Sequence, residues 1–378
     1  KSKQDVESEQ KREQIKKEVG EMDDLRNLGL KYRSKNWTLE TYSQLVEKYK
    51  IRIKHQTYAI ARTAIVDRLA GQNFQQFLVD FAYQLQRVGY LYGCTVPAEK
   101  PVVDSATAAA QNQTQNNPKK SEMEFYDENE QYEDVQIKVI YEPKQTSTVT
   151  KAVEVGEDDT EEKMIRERAD ILAGMLGMKP VGWIFSHDGD REVPLLAAEV
   201  LRAAELQSKY GKAFVTVSVA PNEEGHIEFE AYQASRQCVE LFEKGLLSVH
   251  PTNPELIVCK KEVEVERKMT TNIDCLLMTC NVAISSAEYG FLTGFPVRNR
   301  PGDENVQSLM AVRDVLLERR KKKMSFVQQV NDFHLLLFLT EFLSLESEFP
   351  MLCEAIRNKD NGAMQAFETL IESYAGIQ

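Results

Sequence analysis

Val181–Asp190 reads Val-Gly-Trp-Ile-Phe-Ser-His-Asp-Gly-Asp, and it holds the residue types nearest to a hydrolytic centre. Val181 to Phe185 is an apolar run of strand length that ends in a polar turn, Ser186 to Asp190. A catalytic zinc needs three protein ligands, usually imidazoles and carboxylates, with one position left open for water. This turn offers one imidazole, and a lone His187 does not hold zinc at useful affinity. The reading predicts no bound zinc and no other cofactor. Trp183 and Phe185 read as packing residues.

Other catalytic constellations are missing. Gly-Lys occurs only at Gly211-Lys212, outside any glycine-rich phosphate loop, and there is no Gly-x-Ser-x-Gly elbow. The cysteines Cys94, Cys238, Cys259, Cys275, Cys280 and Cys353 are scattered and none forms a Cys-x-x-Cys pair. They suit buried thiols in a reducing compartment. Cys275 and Cys280 are expected on one strand, facing opposite sides. His334 lies in a helix apolar nearly all round and reads as a core histidine. The basic run Arg319–Lys323 reads as a solvated cap at a helix C-terminus.

With 378 residues the chain has room for two domains, at about 100–200 residues each. A net charge of −12 argues against binding nucleic acid through its phosphates. No apolar run nears the roughly 20 residues of a membrane span.

The elements that must position the strand at Val181 follow from periodicity. Lys1 to Arg26 is charged and reads as a solvated helix or lead-in. Phe74, Phe77, Leu78, Phe81, Leu85 and Val88 share one helical face, which predicts a helix over Asn73–Val88 closed by Gly89, then a strand to Val96. Pro97 to Asp134 reads as an inserted loop, with exposed Phe125, Tyr126 and Tyr132 as partner-facing aromatics. Val135–Tyr141 alternates as a half-buried strand. Asp159 is an N-cap for a helix that Gly177 ends. A helix from Pro194, strands at Ala213–Val219 and His226–Tyr232, and a helix to Lys244 complete a first domain. The pattern resets after Gly245, with strands at Leu256–Val265 and Cys275–Ile284. Helices follow over Val306–Arg320, Phe326–Leu345, Met351–Arg357 and Ala363–Tyr374. The expected fold is α+β: a charged extension over residues 1–60, a mixed sheet flanked by helices over 61–245 with the loop at 97–134, and a C-terminal domain over 246–378 that ends in helices.

Two strands resemble the frame of JAMM-type deubiquitinases, whose fold is the MPN domain. In that family a glutamate three residues before a Gly-x-Leu-x-Gly strand activates zinc-bound water. The zinc is held by His-x-His and by an aspartate further on, which follows a serine after two residues. Gly89-Tyr90-Leu91-Tyr92-Gly93 matches the first strand and Gly182-Trp183 leads the second. On that alignment Gln86 takes the place of the glutamate and Phe185 that of the first histidine. His187 takes the second, Leu195 the serine and Ala198 the aspartate. The resemblance implies an MPN-like domain without its metal chemistry, and so no enzyme.

A longer series of segments resembles the nuclear protein localization protein 4 family, especially its plant-type members. The segments are Gly89–Gly93, Val139–Pro143, Gly174–Phe185, Glu228–Ser235, Phe295–Arg300 and Asn331–Phe338, in the family's order. The resemblance implies a catalytically dead MPN domain followed by a C-terminal domain, present in cytoplasm and nucleus. It implies an adaptor that pairs with ubiquitin fusion degradation protein 1 and recruits polyubiquitinated substrates to the valosin-containing AAA ATPase. Family members usually carry an N-terminal ubiquitin-like domain and zinc-finger modules, and Lys1–Gly93 contains no cysteine. That departure puts docking on the ATPase in doubt. The alternative reading is a scaffold of the same fold without ubiquitin-handling activity.

Overall fold

The first strand, β1 (Ala61–Asp67), alternates buried and half-buried positions and ends on an aspartate that starts a helix. The Asp67 carboxylate accepts from the backbone N–H of Leu69 and Ala70, so α1 runs over Arg68–Asp80. This computed structural model describes residues 50–100, 130–148, 151–154, 159–189, 191–302 and 306–377. The predicted helix over Asn73–Val88 is therefore corrected at both ends. Ala82 and Tyr83 take left-handed backbone angles that turn the chain away from the helix axis. Val88 then opens β2 (Val88–Pro97) instead of closing a helix.

The remaining elements follow in chain order. They are β3 (Glu133–Tyr141), β4 (Gln145–Ser147), β5 (Ala152–Glu154), α2 (Thr160–Met175), β6 (Lys179–Ser186) and α3 (Ala197–Tyr210). Next come β7 (Val215–Pro221), β8 (Ile227–Ala234), α4 (Arg236–Glu243), β9 (Leu247–Val249), β10 (Leu256–Val265), β11 (Lys268–Asp274) and β12 (Thr279–Ala287). The helices α5 (Leu309–Lys321), α6 (Phe326–Val330), α7 (Phe333–Leu339), α8 (Phe349–Asn358) and α9 (Gln365–Tyr374) close the chain. This is an α+β protein. Among the described residues no helix is long and apolar enough to cross a membrane.

The main sheet closes into a barrel in the order β1-β12-β8-β7-β6-β2-β3. Inside it Leu91, Ile137, Ile140, Ile184, Val217 and Val282 share one core, and Phe74, Phe77 and Leu78 of α1 join the same cluster. The predicted break after Gly245 does not end this sheet. β12 lies beyond it in sequence and pairs parallel with β1 and antiparallel with β8. A closed barrel needs that strand to satisfy the outer edge of β1. Contacts divide the chain elsewhere, into residues 54–261 with 272–378, and a small unit of which Lys50–Ile53 and Glu262–Thr271 are described. Within the small unit, Glu264 takes ion pairs from Lys50 and Arg52, and its backbone bonds to Ile51 and Ile53.

The glycines of Gly89–Gly93 have a packing cause. A Cβ on Gly89 would sit about 3.0 Å from the Tyr141 oxygen and against Ile140 and Ile184. One on Gly93 would lie 1.8 Å from the Gln136 oxygen, at the register shift between β2 and β3. Leu91 joins the core cluster, whereas Tyr92 and Tyr141 reach out to α2: their hydroxyls donate to Asp170 and Glu162.

Three other expectations are corrected. The long helix over Phe326–Leu345 is broken at Asp332, whose side chain accepts from His334 and Leu335 N–H and starts α7 as a separate element. Arg319 is no solvated cap. It is buried, bonded to the Asp332 carboxylate at 2.5 Å and to the Gln329 carbonyl. Cys275 lies in a single 3-10 turn before β12 rather than on the strand, and it is buried, as is Cys280.

Candidate functional site

The candidate site is the end of the barrel where β2 begins and β6 finishes. These strands run antiparallel with Val88 opposite Phe185 and Tyr90 opposite Trp183, so Gln86 comes up beside Ser186. The Ser186 hydroxyl donates to Gln86 Oε1 at 2.6 Å and accepts from the Arg87 N–H at 2.8 Å. Gln86 Nε2 donates to the Tyr83 carbonyl at 3.0 Å. Its carboxamide is thus fully buried with both ends engaged. The hairpin β4–β5 covers the neighbouring backbone. Gln86 N–H donates to the Thr148 carbonyl, and the Gln145 amide bonds both the N–H and the C=O of Val88.

Phe185 is buried, its ring 4.8 Å from Trp183 and 6.0 Å from His187. His187 is buried too, and its Nδ1 accepts from Gly189 N–H at 3.1 Å. Gly189 has φ of +83°, and a Cβ there would meet the Pro221 oxygen at 2.4 Å, so the turn requires glycine. Leu195 is buried and Ala198 is exposed on the first turn of α3. The adjacent Glu199 is committed to Arg191 at 2.7 Å and to the Leu196 N–H.

Burial, and then the nearby Arg191, push the His187 pKa down to about 4. The fold favours the neutral ring, so the unfolded chain takes up this proton first as pH falls. Stability from this group is full above about pH 6.5 and is lost between there and about pH 4. His187→Gln is expected to flatten that part of the stability curve by on the order of 2 kcal/mol. Urea denaturation at pH 7 and pH 4.5 checks it, and an unchanged slope in the variant would reject the assignment.

The geometry brings together Gln86, Phe185 and His187, three of the positions singled out in the sequence. It offers no ligand set, since among the described residues no group of three or more His, Cys, Asp or Glu side chains is placed to hold a metal ion. Phe125 and Tyr126 lie outside the described residues. Tyr132 is corrected: it is 6% exposed, not a free aromatic. It sits beside the first residue of β3, where its carbonyl accepts from the Ala98 N–H and closes the neck of the insertion.

One feature escaped the sequence reading, a buried charge cluster next to the site. Arg87, the neighbour of Gln86, donates Nε to Glu142 at 2.7 Å, and Arg300 donates to the same carboxylate at 2.9 Å and 2.5 Å. Asn299, held at φ of +68°, accepts from Arg87 and donates to the Glu142 carbonyl. Burial opposes the charge on Glu142, but Arg300 and Arg87 outweigh it and hold the pKa down to about 2. The segments Val139–Pro143 and Phe295–Arg300 thus meet in space. Each was visible alone, but nothing local encodes their contact.

A sequence model of the NPL4 family matches residues 197–274 and 260–375. The Nuclear protein localization protein 4 homolog of Dictyostelium discoideum is 30% identical over 336 residues, covering 87% of this chain and 50% of that protein. The NPL4-like protein of Oryza sativa subsp. japonica is 30% identical over 342 residues, covering 86% of this chain and 72% of that protein. NPL4-like protein 2 of Arabidopsis thaliana is 30% identical over 338 residues, at 86% and 71% coverage. The chain spans half the length of the Dictyostelium relative.

Proposed function

The chain belongs to the NPL4 family, and from that premise we propose that it is a non-catalytic adaptor that binds polyubiquitin and helps bring polyubiquitinated substrates to the valosin-containing AAA ATPase. On this reading the barrel is an MPN domain whose metal site has been replaced by packing. The observation that carries it is the Gln86–Ser186–Phe185 arrangement. A glutamate there would present a base to a zinc-bound water. A glutamine whose carboxamide is bonded to Ser186 and Tyr83 cannot take up that water's proton, and on the same alignment Phe185, stacked on Trp183, stands in place of a ligand. A fold of this kind holds its substrate and leaves it intact.

Ubiquitin fusion degradation protein 1 is the proposed companion, with cytoplasm and nucleus as the proposed setting. Docking on the ATPase is the part of the proposal that the departures in Lys1–Gly93 put in doubt. Pull-down on immobilised polyubiquitin, with and without the ATPase, tests it. Retention on the chains, and capture of the ATPase with them, is the expected result. Binding to neither would leave the scaffold reading in its place.

A further inference from the structure

The connection from α8 to α9 holds a reactive pair that the barrel and its charge cluster do not involve. Asn-Gly occurs once in the chain, at Asn361-Gly362. Asparagine before glycine is prone to cyclise, because the glycine nitrogen can turn onto the asparagine side chain with no Cβ to obstruct it. Every other asparagine precedes a residue that carries a side chain.

The pair is held at both ends and open between them. α8 ends in a left-handed Lys359, and the N–H groups of Lys359 and Asp360 return to the Ile356 and Ala355 carbonyls. On the far side Met364 is buried, one residue before α9 begins. Asn361, Gly362 and Ala363 lie exposed between these anchors. Among the described residues no hydrogen bond holds the Asn361 carboxamide. The Gly362 N–H donates to Asp360 Oδ1 at 2.9 Å, and the Ala363 N–H donates to the same oxygen at 3.1 Å. Cyclisation requires the Gly362 nitrogen to lose that proton and turn toward Asn361. The Asp360 carboxylate holds the N–H where it is, and its charge opposes the anion that must form there.

We propose that Asn361 is a site of spontaneous deamidation whose pace is set by Asp360. The Gly362 nitrogen gives its proton to hydroxide and attacks Asn361 Cγ. The new C–N bond forms, the bond from Cγ to the side-chain nitrogen breaks, and that nitrogen takes a proton from water and leaves as ammonia. Water then opens the cyclic imide at either carbonyl, which leaves aspartate or isoaspartate at position 361. Both products add a negative charge beside Asp360, and isoaspartate also lengthens the main chain by a carbon between the two anchors. The assignment is independent of the adaptor reading, because it concerns a single turn.

Incubation of the full chain at mildly alkaline pH tests it, read by peptide mapping with mass spectrometry and by enzymatic methylation of isoaspartate. The peptide spanning Asn361 should exchange NH for O in mass and accept methyl groups, ahead of every other asparagine. Asn361→Gln should remove the methylation from this peptide. Asp360→Ala should raise the rate at Asn361 by about threefold. Both positions are exposed, and melting curves that match the parent show that the variants fold. An Asn361 that stays intact, or that converts after another asparagine, would overturn the site. A rate unchanged or lowered by Asp360→Ala would overturn the role given to Asp360.

Discussion

Glu142→Gln is expected to destabilise the protein by about 3–5 kcal/mol, the usual cost of removing one partner from a buried ion pair. The carboxylate is 1% exposed and receives two guanidinium groups. Glutamine preserves the shape, but it leaves Arg87 and Arg300 as buried cations without a counter-charge and turns an N–H₂ group toward donors. The loss should fall on both segments, because Asn299 and Arg87 are tied to the same point. The surface pair of Lys322 and Glu318 is a control: it is exposed to solvent screening, so Glu318→Gln should leave the denaturation midpoint essentially where it is. Guanidinium denaturation reads both. A Glu142→Gln protein within 1 kcal/mol of the parent would show that the cluster does not hold the fold. The native pair also sets a pH dependence. The Glu142 pKa is lowered from its ordinary value of 4.5 to about 2, so its contribution is present above about pH 4.5 and is lost as pH falls through about 2.

Gly93→Ala is expected to cost about 4 kcal/mol or more, or to prevent folding. The added Cβ would lie 1.8 Å from the Gln136 carbonyl oxygen and 3.2 Å from the Ile137 Cα, so backbone rather than a flexible side chain must move. Moving it disturbs the pairing of β2 with β3 at the register shift, and a closed barrel has little slack there. Gly174 supplies the contrast. It lies in α2 with nothing within 4 Å of an added Cβ, so Gly174→Ala should stabilise by roughly 1 kcal/mol through helix propensity. Opposite shifts in thermal midpoint are the predicted outcome. Equal and small shifts for the two alanines would refute the close-approach argument.

What the sequence showed was local. Asp159 caps α2 by accepting from Glu161 and Glu162 N–H, and Gly177 at φ of +75° follows the helix end, both as expected from adjacent residues. The strand over Val181–Phe185 is found within β6. The α1 error arose because Leu85 and Val88 continue a helical phase by coincidence, while the left-handed turn at Ala82 and Tyr83 has no glycine to announce it. The break after Gly245 misled because β12 is recruited back into a barrel begun by β1, a long-range pairing that no window reveals. Arg319 looked like one of five surface cations until Asp332 was brought to it by the start of α7. At the site, counting along the chain identified Gln86, Phe185 and His187. The hydrogen bonds that occupy them, and the Arg87–Glu142–Arg300 cluster beside them, required three dimensions.

The most direct test of the adaptor account is to incubate the zinc-supplemented chain with defined polyubiquitin and follow the mixture by size-exclusion chromatography and gels over several hours. The account predicts co-elution of protein and polyubiquitin, with the chains intact at the last time point. Separate elution, or a ladder of shorter chains that a chelator abolishes, would contradict it.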